Sequence, residues 1–130
     1  MKWATHTVCT VCAILILSFF VPIAWVNVVT AVAASIFPDY IEMVAKIKHR
    51  SKIVHNFAIP LGLSPLSLYV PGMFGFAFGY FYHLVLDAMT VYGVWFFWTR
   101  IRGWCHAKST LENTLLMVVH TIFLFLVYAR

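Results

Sequence analysis

From Val8 to Phe37 the chain runs for 30 residues without an Asp, Glu, Lys or Arg. About 20 apolar residues cross the hydrocarbon core of a bilayer as one helix. The run is therefore too long for one straight span and too apolar to face water. Pro22 lies inside it, and proline lacks the N–H that continues a helix. A hairpin bending near Ser18–Asn27 is the expectation, with helices over residues 4–20 and 23–37. Lys2 and Ala31-Val32-Ala33 imitate a signal peptide, but the apolar stretch far exceeds an h-region of about 7–15 residues. With Met1 still in place, the segment is expected to remain as membrane-embedded structure.

The rest of the chain has the same character. It is 63% hydrophobic and only 10% charged, against about 25% charged residues in an ordinary soluble domain. Too little polar surface remains to cover a water-soluble sphere, so lipid is expected to cover the rest. The formal charge of +5 sits in short basic loops beside apolar stretches, the positive-inside pattern of a membrane protein. It forms no stripe for nucleic acid, and no nucleic-acid partner is expected. Cys9 and Cys12 lie in an apolar run with no second pair elsewhere. They read as small helix residues, and the single Cys105 implies no disulfide framework.

Residues 38–52 form a polar stretch carrying Asp39, Glu42, Lys46, Lys48, His49, Arg50 and Lys52. Ile53 to Val70 is apolar but broken by Pro60, Gly62 and Pro65, a short helix followed by an irregular link. Met73 to about Trp98 reads as the next span, bent near Gly93, and residues 100–108 as a basic polar segment. Leu111 to Tyr128 is the last apolar helix, with Ser109 or Thr110 as N-cap. The expected fold is an all-α, polytopic transmembrane bundle of four to five helices, one integral membrane domain over residues 1–130, with a polar cytoplasmic-side loop at 38–52. A cytoplasmic amino terminus puts Lys2, Lys46, Lys48, Arg50, Lys52, Arg100, Arg102 and Lys108 on one side, leaving only Arg130 opposite. The cytoplasmic (inner) membrane is the expected location.

Chemistry-bearing residues concentrate at that same end. His83 and Asp87 are four apart, so on a helix they share a face at about 5–6 Å between Cβ atoms. Ionisable groups in an apolar span usually face the bundle interior with partners. A plain His–Asp hydrogen bond explains the pair, and so does a metal. His49 and His55 fit a solvated basic loop, and Asp39 after Pro38 fits a helix-end turn, when each is taken alone. The derived topology nevertheless brings His6, Asp39, His49, His55, Asp87 and Thr90 to one end of the bundle. His106 and His120 fit this convergence less well and read as interfacial and core residues.

His6, the Phe37-Pro38-Asp39 element, His49-Arg50-Ser51-Lys52-Ile53-Val54-His55 and Gly79-Tyr80-Phe81-Tyr82-His83 through Asp87, Thr90 and Gly93 together resemble the YdjM-like family of membrane-bound metal-dependent hydrolases. The resemblance runs in order from residue 5 to about residue 98, and its last element is the most specific. It implies that His6, Asp39, His49, His55, His83 and Asp87 are candidate ligands of a divalent metal, zinc by type. It also makes Arg50 a candidate anion binder; in such a centre Asp39 or Asp87 could be either a ligand or the catalytic base, roles that spacing does not separate. Two departures stand out: Ile41 replaces the family's second acid, with Glu42 one residue late, and the histidine element is stretched by one residue. A one-metal site, or a degenerate inactive one, therefore stands beside a complete two-metal centre.

The functional expectation is metal-dependent hydrolysis of a lipid or lipid-linked phosphate or ester at the cytoplasmic interface. Membrane lipid is then the immediate partner, and a phosphoester the substrate. A non-catalytic membrane protein with a His/Asp polar or metal-binding cluster is one alternative. A small transport component is another, made complete by oligomerisation through the small-residue row Gly72, Gly75 and Gly79.

Overall fold

The computed structural model describes residues 1–129; Arg130, placed opposite the other basic residues above, lies outside them. The first helix, α1, covers Trp3–Phe20, and an extended link with Pro22 separates it from α2, Trp25–Ala34. The expected bend at the proline is thus present. The polar stretch is not all loop: Pro38 stands in the first turn of a helix α3, Phe37–Val44, where its missing N–H costs nothing. The chain then turns through Lys46 and Arg50, both with positive φ, into a short α4, Ala58–Leu63, and a 3₁₀ turn, Ser64–Leu68. Helix α5 covers Met73–Ala88, and α6 covers Thr110–Tyr128. Ser109 is the N-cap of α6, its hydroxyl accepting from the Glu112 N–H.

The all-α expectation needs correction between α5 and α6, where residues 94–101 form an antiparallel hairpin. Strand β1, Val94–Phe96, pairs with β2, Thr99–Ile101, in the register Val94 to Ile101. The anticipated helix to Trp98 ends at Ala88 because the chain is turned there: Thr90 folds its hydroxyl back onto the Asp87 carbonyl, and Gly93 takes φ +63. A Cβ at Gly93 would stand 2.0 Å from the Ile101 carbonyl oxygen. Beyond that turn the aromatic run Trp95-Phe96-Phe97-Trp98 has the side chains that favour strands.

Helices α1 and α6, at 18 and 19 residues, are the two long and apolar enough to cross a membrane. At 1.5 Å per residue each spans about 27–29 Å, close to the hydrocarbon thickness. The others are shorter, α2 at 10 and α5 at 16 residues, so by length and composition two helices qualify as candidate spans, fewer than the four to five expected. Among the described residues of α6 only Asn113 is buried. The rest of that helix turns apolar side chains outward, which suits lipid and not water.

Helix α2 packs along α5, and α1 along α6. The first pair runs in parallel at a constant offset: Asn27 faces Gly75, Ala31 faces Gly79, and the Ser35 carbonyl meets His83. A Cβ on Gly75 would lie 1.9 Å from the Asn27 carbonyl oxygen, and one on Gly79 would lie 2.1 Å from that of Ala31. The two glycines therefore serve backbone contact inside one chain. Thr30 donates its hydroxyl to the Gly72 carbonyl, and the Asn27 amide oxygen accepts from the Gly75 N–H. At the other pair, Asn113 accepts from the Thr5 hydroxyl and the Lys2 N–H, binding the start of α1 to the start of α6.

Gly79→Ala should destabilise the protein by roughly 1–3 kcal/mol, the usual cost of overpacking, read as a lower thermal midpoint in detergent. Gly62→Ala is the control, since nothing lies within 4 Å of its added Cβ and a helical Gly→Ala change is favourable by about 0.5–1 kcal/mol.

Candidate metal centre

Three elements deliver the site. Helix α5 supplies His83 and Asp87 on one face, α3 supplies Asp39 and Glu42 three residues apart, and the turn after α3 supplies His55. That turn is held on both sides. The Tyr80 hydroxyl donates to the Val54 carbonyl at 2.7 Å, and the Trp95 N–H donates to the His55 carbonyl at 2.9 Å. The Phe57 N–H donates back to the Trp95 carbonyl, so the hairpin clamps the segment that carries His55.

Asp39, His55, His83 and Asp87 bring one donor atom each to a common point. His55 Nε2 lies 3.2 Å from His83 Nε2, 3.3 Å from Asp39 Oδ1 and 3.6 Å from Asp87 Oδ2. His83 Nε2 lies 3.9 Å from Asp39 Oδ1 and 3.8 Å from Asp87 Oδ2. Zinc bonds of 2.0–2.1 Å at tetrahedral angles set ligand atoms about 3.3–3.4 Å apart. The shortest two edges already match that figure, and the others, at 3.6, 3.8 and 3.9 Å, would contract to meet it.

The hydrogen bonds around the histidines decide what these donors carry. His83 Nδ1 lies 2.7 Å from the Ser35 carbonyl oxygen, which can only accept, so Nδ1 bears the proton. His55 Nδ1 lies 2.9 Å from Glu42 Oε1, a carboxylate oxygen, and likewise donates. Both Nε2 atoms therefore face the centre. Asp39 Oδ1 and Asp87 Oδ2 point there too, buried and without a hydrogen-bond partner. Buried polar atoms are rarely left unpaired. Four convergent donors of imidazole and carboxylate type fit a divalent ion such as zinc, with the outer hydrogen bonds that ligating histidines normally make.

Glu42 is buried and fully engaged. Its Oε2 accepts from the Arg50 N–H, and its Oε1 from the Ser51 N–H and hydroxyl as well as His55 Nδ1. The backbone there is helical and not irregular, and Glu42 orients His55 through its Nδ1. Asp39, Glu42 and His49 also form a looser group, with His49 Nδ1 3.2 Å from Glu42 Oε2 and its side chain 66% exposed. His6 is fully buried beside the cluster, its Nε2 3.4 Å from Asp87 Oδ1 and its ring stacked on that of His83 at 4.0 Å between centroids. Four of the six sequence candidates thus meet, while His6 and His49 flank them.

Arg50 is 4% exposed and pairs with Asp87 Oδ1 at 2.8 Å through Nη2, while Nη1 donates to the Thr90 hydroxyl. The Met1 ammonium is 2.9 Å from the same Asp87 oxygen. Sequence reasoning did not find the Ser35 carbonyl, a backbone atom without a signature. The i, i+3 spacing of Asp39 and Glu42 was a usable signal for their shared helix face. Of the remaining histidines, His106 is exposed beside Glu112, and His120 is half-buried against the Tyr82 hydroxyl.

Charge tunes Asp39 and His55 against each other. Burial pushes the Asp39 carboxyl up, but the adjoining His55 ring and then His83 more than reverse this, holding it at about 2. For His55 burial favours the neutral ring, yet Asp39 and Glu42 overcome it and raise the imidazole to about 9. Below that value a proton occupies the Nε2 that a metal would use. Divalent-ion affinity should therefore weaken as pH falls, by about tenfold per unit between pH 8 and 6 for one proton released per ion. Titration calorimetry in buffers of different ionisation enthalpy checks this; a pH-independent affinity would exclude His55 as a ligand.

No curated protein and no solved structure matches this chain. The family model described as YdjM inner membrane protein does match, over residues 1–129. That span includes every element bearing the convergent donors, and the chain belongs to the YdjM inner membrane protein family.

Proposed function

We propose that the protein is a membrane-embedded, metal-dependent hydrolase acting on a lipid or lipid-linked phosphate ester, with its site at the cytoplasmic face of the inner membrane. The observation that carries this reading is the meeting of two carboxylate oxygens that lack any hydrogen-bond partner with the Nε2 atoms of two histidines whose Nδ1 atoms are already committed. A purely structural polar lock would pair its donors with acceptors. Here two carboxylate oxygens without partners and two imidazole Nε2 atoms face one another, an arrangement that calls for positive charge between them.

A divalent ion held there supplies Lewis acidity and makes hydroxide available near neutral pH. The fully buried His55, His83 and Asp87 would hold it, leaving a position for substrate as catalytic sites do. Asp39, with 10% of its side chain exposed, stands at the solvent edge and would take the proton of the attacking water. Water then adds to phosphorus, the bond to the alcohol oxygen breaks, and the proton passes to that leaving oxygen. Arg50 orients Asp87 and offers a planar guanidinium to the phosphate. The basic residues support the orientation: Lys2 meets the start of α6, and Lys52 and Arg100 flank Trp95 beside His55. They gather at the site end, as the positive-inside rule expects of a cytoplasmic face.

Purified protein should carry stoichiometric divalent metal by elemental analysis, and His83→Ala should lose it. Absence of metal from active wild-type protein would overturn the reading. Asp39→Asn should retain the metal while phosphoester turnover drops by about 10²–10⁴, the usual size of a general acid–base contribution. A cysteine at position 48 in a cysteine-free background should react with a membrane-impermeant maleimide only after the inner membrane is opened. Labelling of intact spheroplasts would reverse the orientation.

A further inference from the structure

Beside the donor cluster lies a cleft of about 490 Å³ whose lining includes Lys2, His49, Arg50, Tyr92 and Lys108. No acid lines it. The chain has only four acidic residues. Asp39, Glu42 and Asp87 belong to the centre, and Glu112 is engaged by His106. Among the described residues no carboxylate lies within 4.0 Å of the Lys2 or Lys108 ammonium.

Arg50 supplies a second, independent observation. Its Nη atoms are committed to Asp87 and Thr90, while Nε is buried with no acceptor. A buried guanidinium N–H without a partner is costly, and the residue that carries it lines this cleft. Its guanidinium also stands over the half-exposed Tyr92 ring, 5.3 Å from the centroid, which gives the cleft an aromatic wall beside its charge.

Charge balance then selects the ligand. With neutral histidines, a divalent ion, Arg50 and the Met1 ammonium already exceed by one charge the carboxylates of Asp39, Glu42 and Asp87. Lys2 and Lys108 remain unbalanced at the same opening. We infer that this cleft binds the dianionic headgroup of a phosphate monoester, with Lys2 and Lys108 selecting it over singly charged or zwitterionic phosphodiesters. A monoester carries close to two negative charges at neutral pH, its second pKa being about 6, whereas a diester carries one. The inference deepens the hydrolase reading and rests on it for the position of the reacting centre.

The test measures binding. Full-length, metal-analysed protein in neutral detergent is titrated with phenyl phosphate, methyl phenyl phosphate and phenyl phosphocholine by calorimetry, using wild type and Lys2→Gln/Lys108→Gln. Wild type should hold phenyl phosphate about tenfold tighter than either diester, the size that two partly exposed charge contacts supply. The double variant should lose that preference while keeping its metal content. Equal binding of monoester and diester by wild type, or a preference that survives the double variant, would overturn the inference. Stoichiometric metal with no monoester preference sinks the inference alone; monoester preference in metal-free protein supports the anion cleft and sinks the hydrolase reading alone. Titration with nanodiscs containing phosphatidic acid, against inorganic phosphate, separates a lipid headgroup from a free phosphate as the source. Binding of either one with the lysine-dependent preference supports the inference.

Discussion

Each of the two central imidazoles has its Nδ1 hydrogen tied down, His83 to the Ser35 carbonyl and His55 to the Glu42 carboxylate. This fixes their tautomers, and the tautomers fix everything nearer the centre. Once both Nδ1 atoms donate, the neutral rings present their Nε2 lone pairs inward, 3.2 Å apart. Two carboxylate oxygens without partners share that space. Such a group is strongly unfavourable without positive charge, because burial removes the water that would otherwise solvate each lone pair. A proton on His55 meets the demand partly, and the elevation of its pKa expresses it. A divalent ion held by His55, His83 and Asp87, with the Asp39 carboxylate beside it, would meet the demand more fully.

The scaffold exists to place those outer partners. Ser35 reaches His83 only because α2 and α5 touch backbone to backbone, which in turn needs hydrogen atoms as the side chains of Gly75 and Gly79. Within a bilayer, helices gain little from burying apolar surface against each other, so close approach through small residues is a main source of association. The same approach sets the axial register of α2 on α5, and hence the height at which the Ser35 carbonyl meets the ring. On the other side, the hairpin and Tyr80 grip the backbone at Val54, His55 and Phe57. A loop-borne ligand thereby becomes as well positioned as a helix-borne one.

Much of this was legible in the residues themselves. The uncharged run and its proline disclosed α1, the bend and α2; Ser109 disclosed the start of α6; and the His83–Asp87 spacing disclosed a helix face. Convergence of the polar residues followed from charge topology, and four of the six proposed ligands do meet. The hairpin was not legible, because an aromatic run of that length satisfies a buried helix and a strand equally, and only the turn at Thr90 and Gly93 decides between them. Nor were the span lengths. An apolar residue against another helix and one against lipid look alike in a sequence, so α2 and α5 read as longer elements than their backbones are. His6 and His49 were placed at the correct end, but their depth relative to His83 and Glu42 depends on ring orientation, which spacing does not encode.

The saturation of Glu42 bears on how many ions the centre can hold. A second cation among Asp39, Glu42 and His49 would have to displace the Arg50 and Ser51 N–H donors or His55 from the Glu42 oxygens. Displacing His55 would release the ring that the first ion needs, so the two positions compete. Charge–assisted bonds from backbone N–H groups to a carboxylate are among the stronger hydrogen bonds in proteins, and here they also hold the left-handed backbone at Arg50. That backbone aims the guanidinium at Asp87. Loading the outer group would therefore disturb a ligand's orientation on both sides of the centre. One ion held by the inner donors, with Glu42 kept as an organiser of the loop, is the arrangement in which all these contacts coexist.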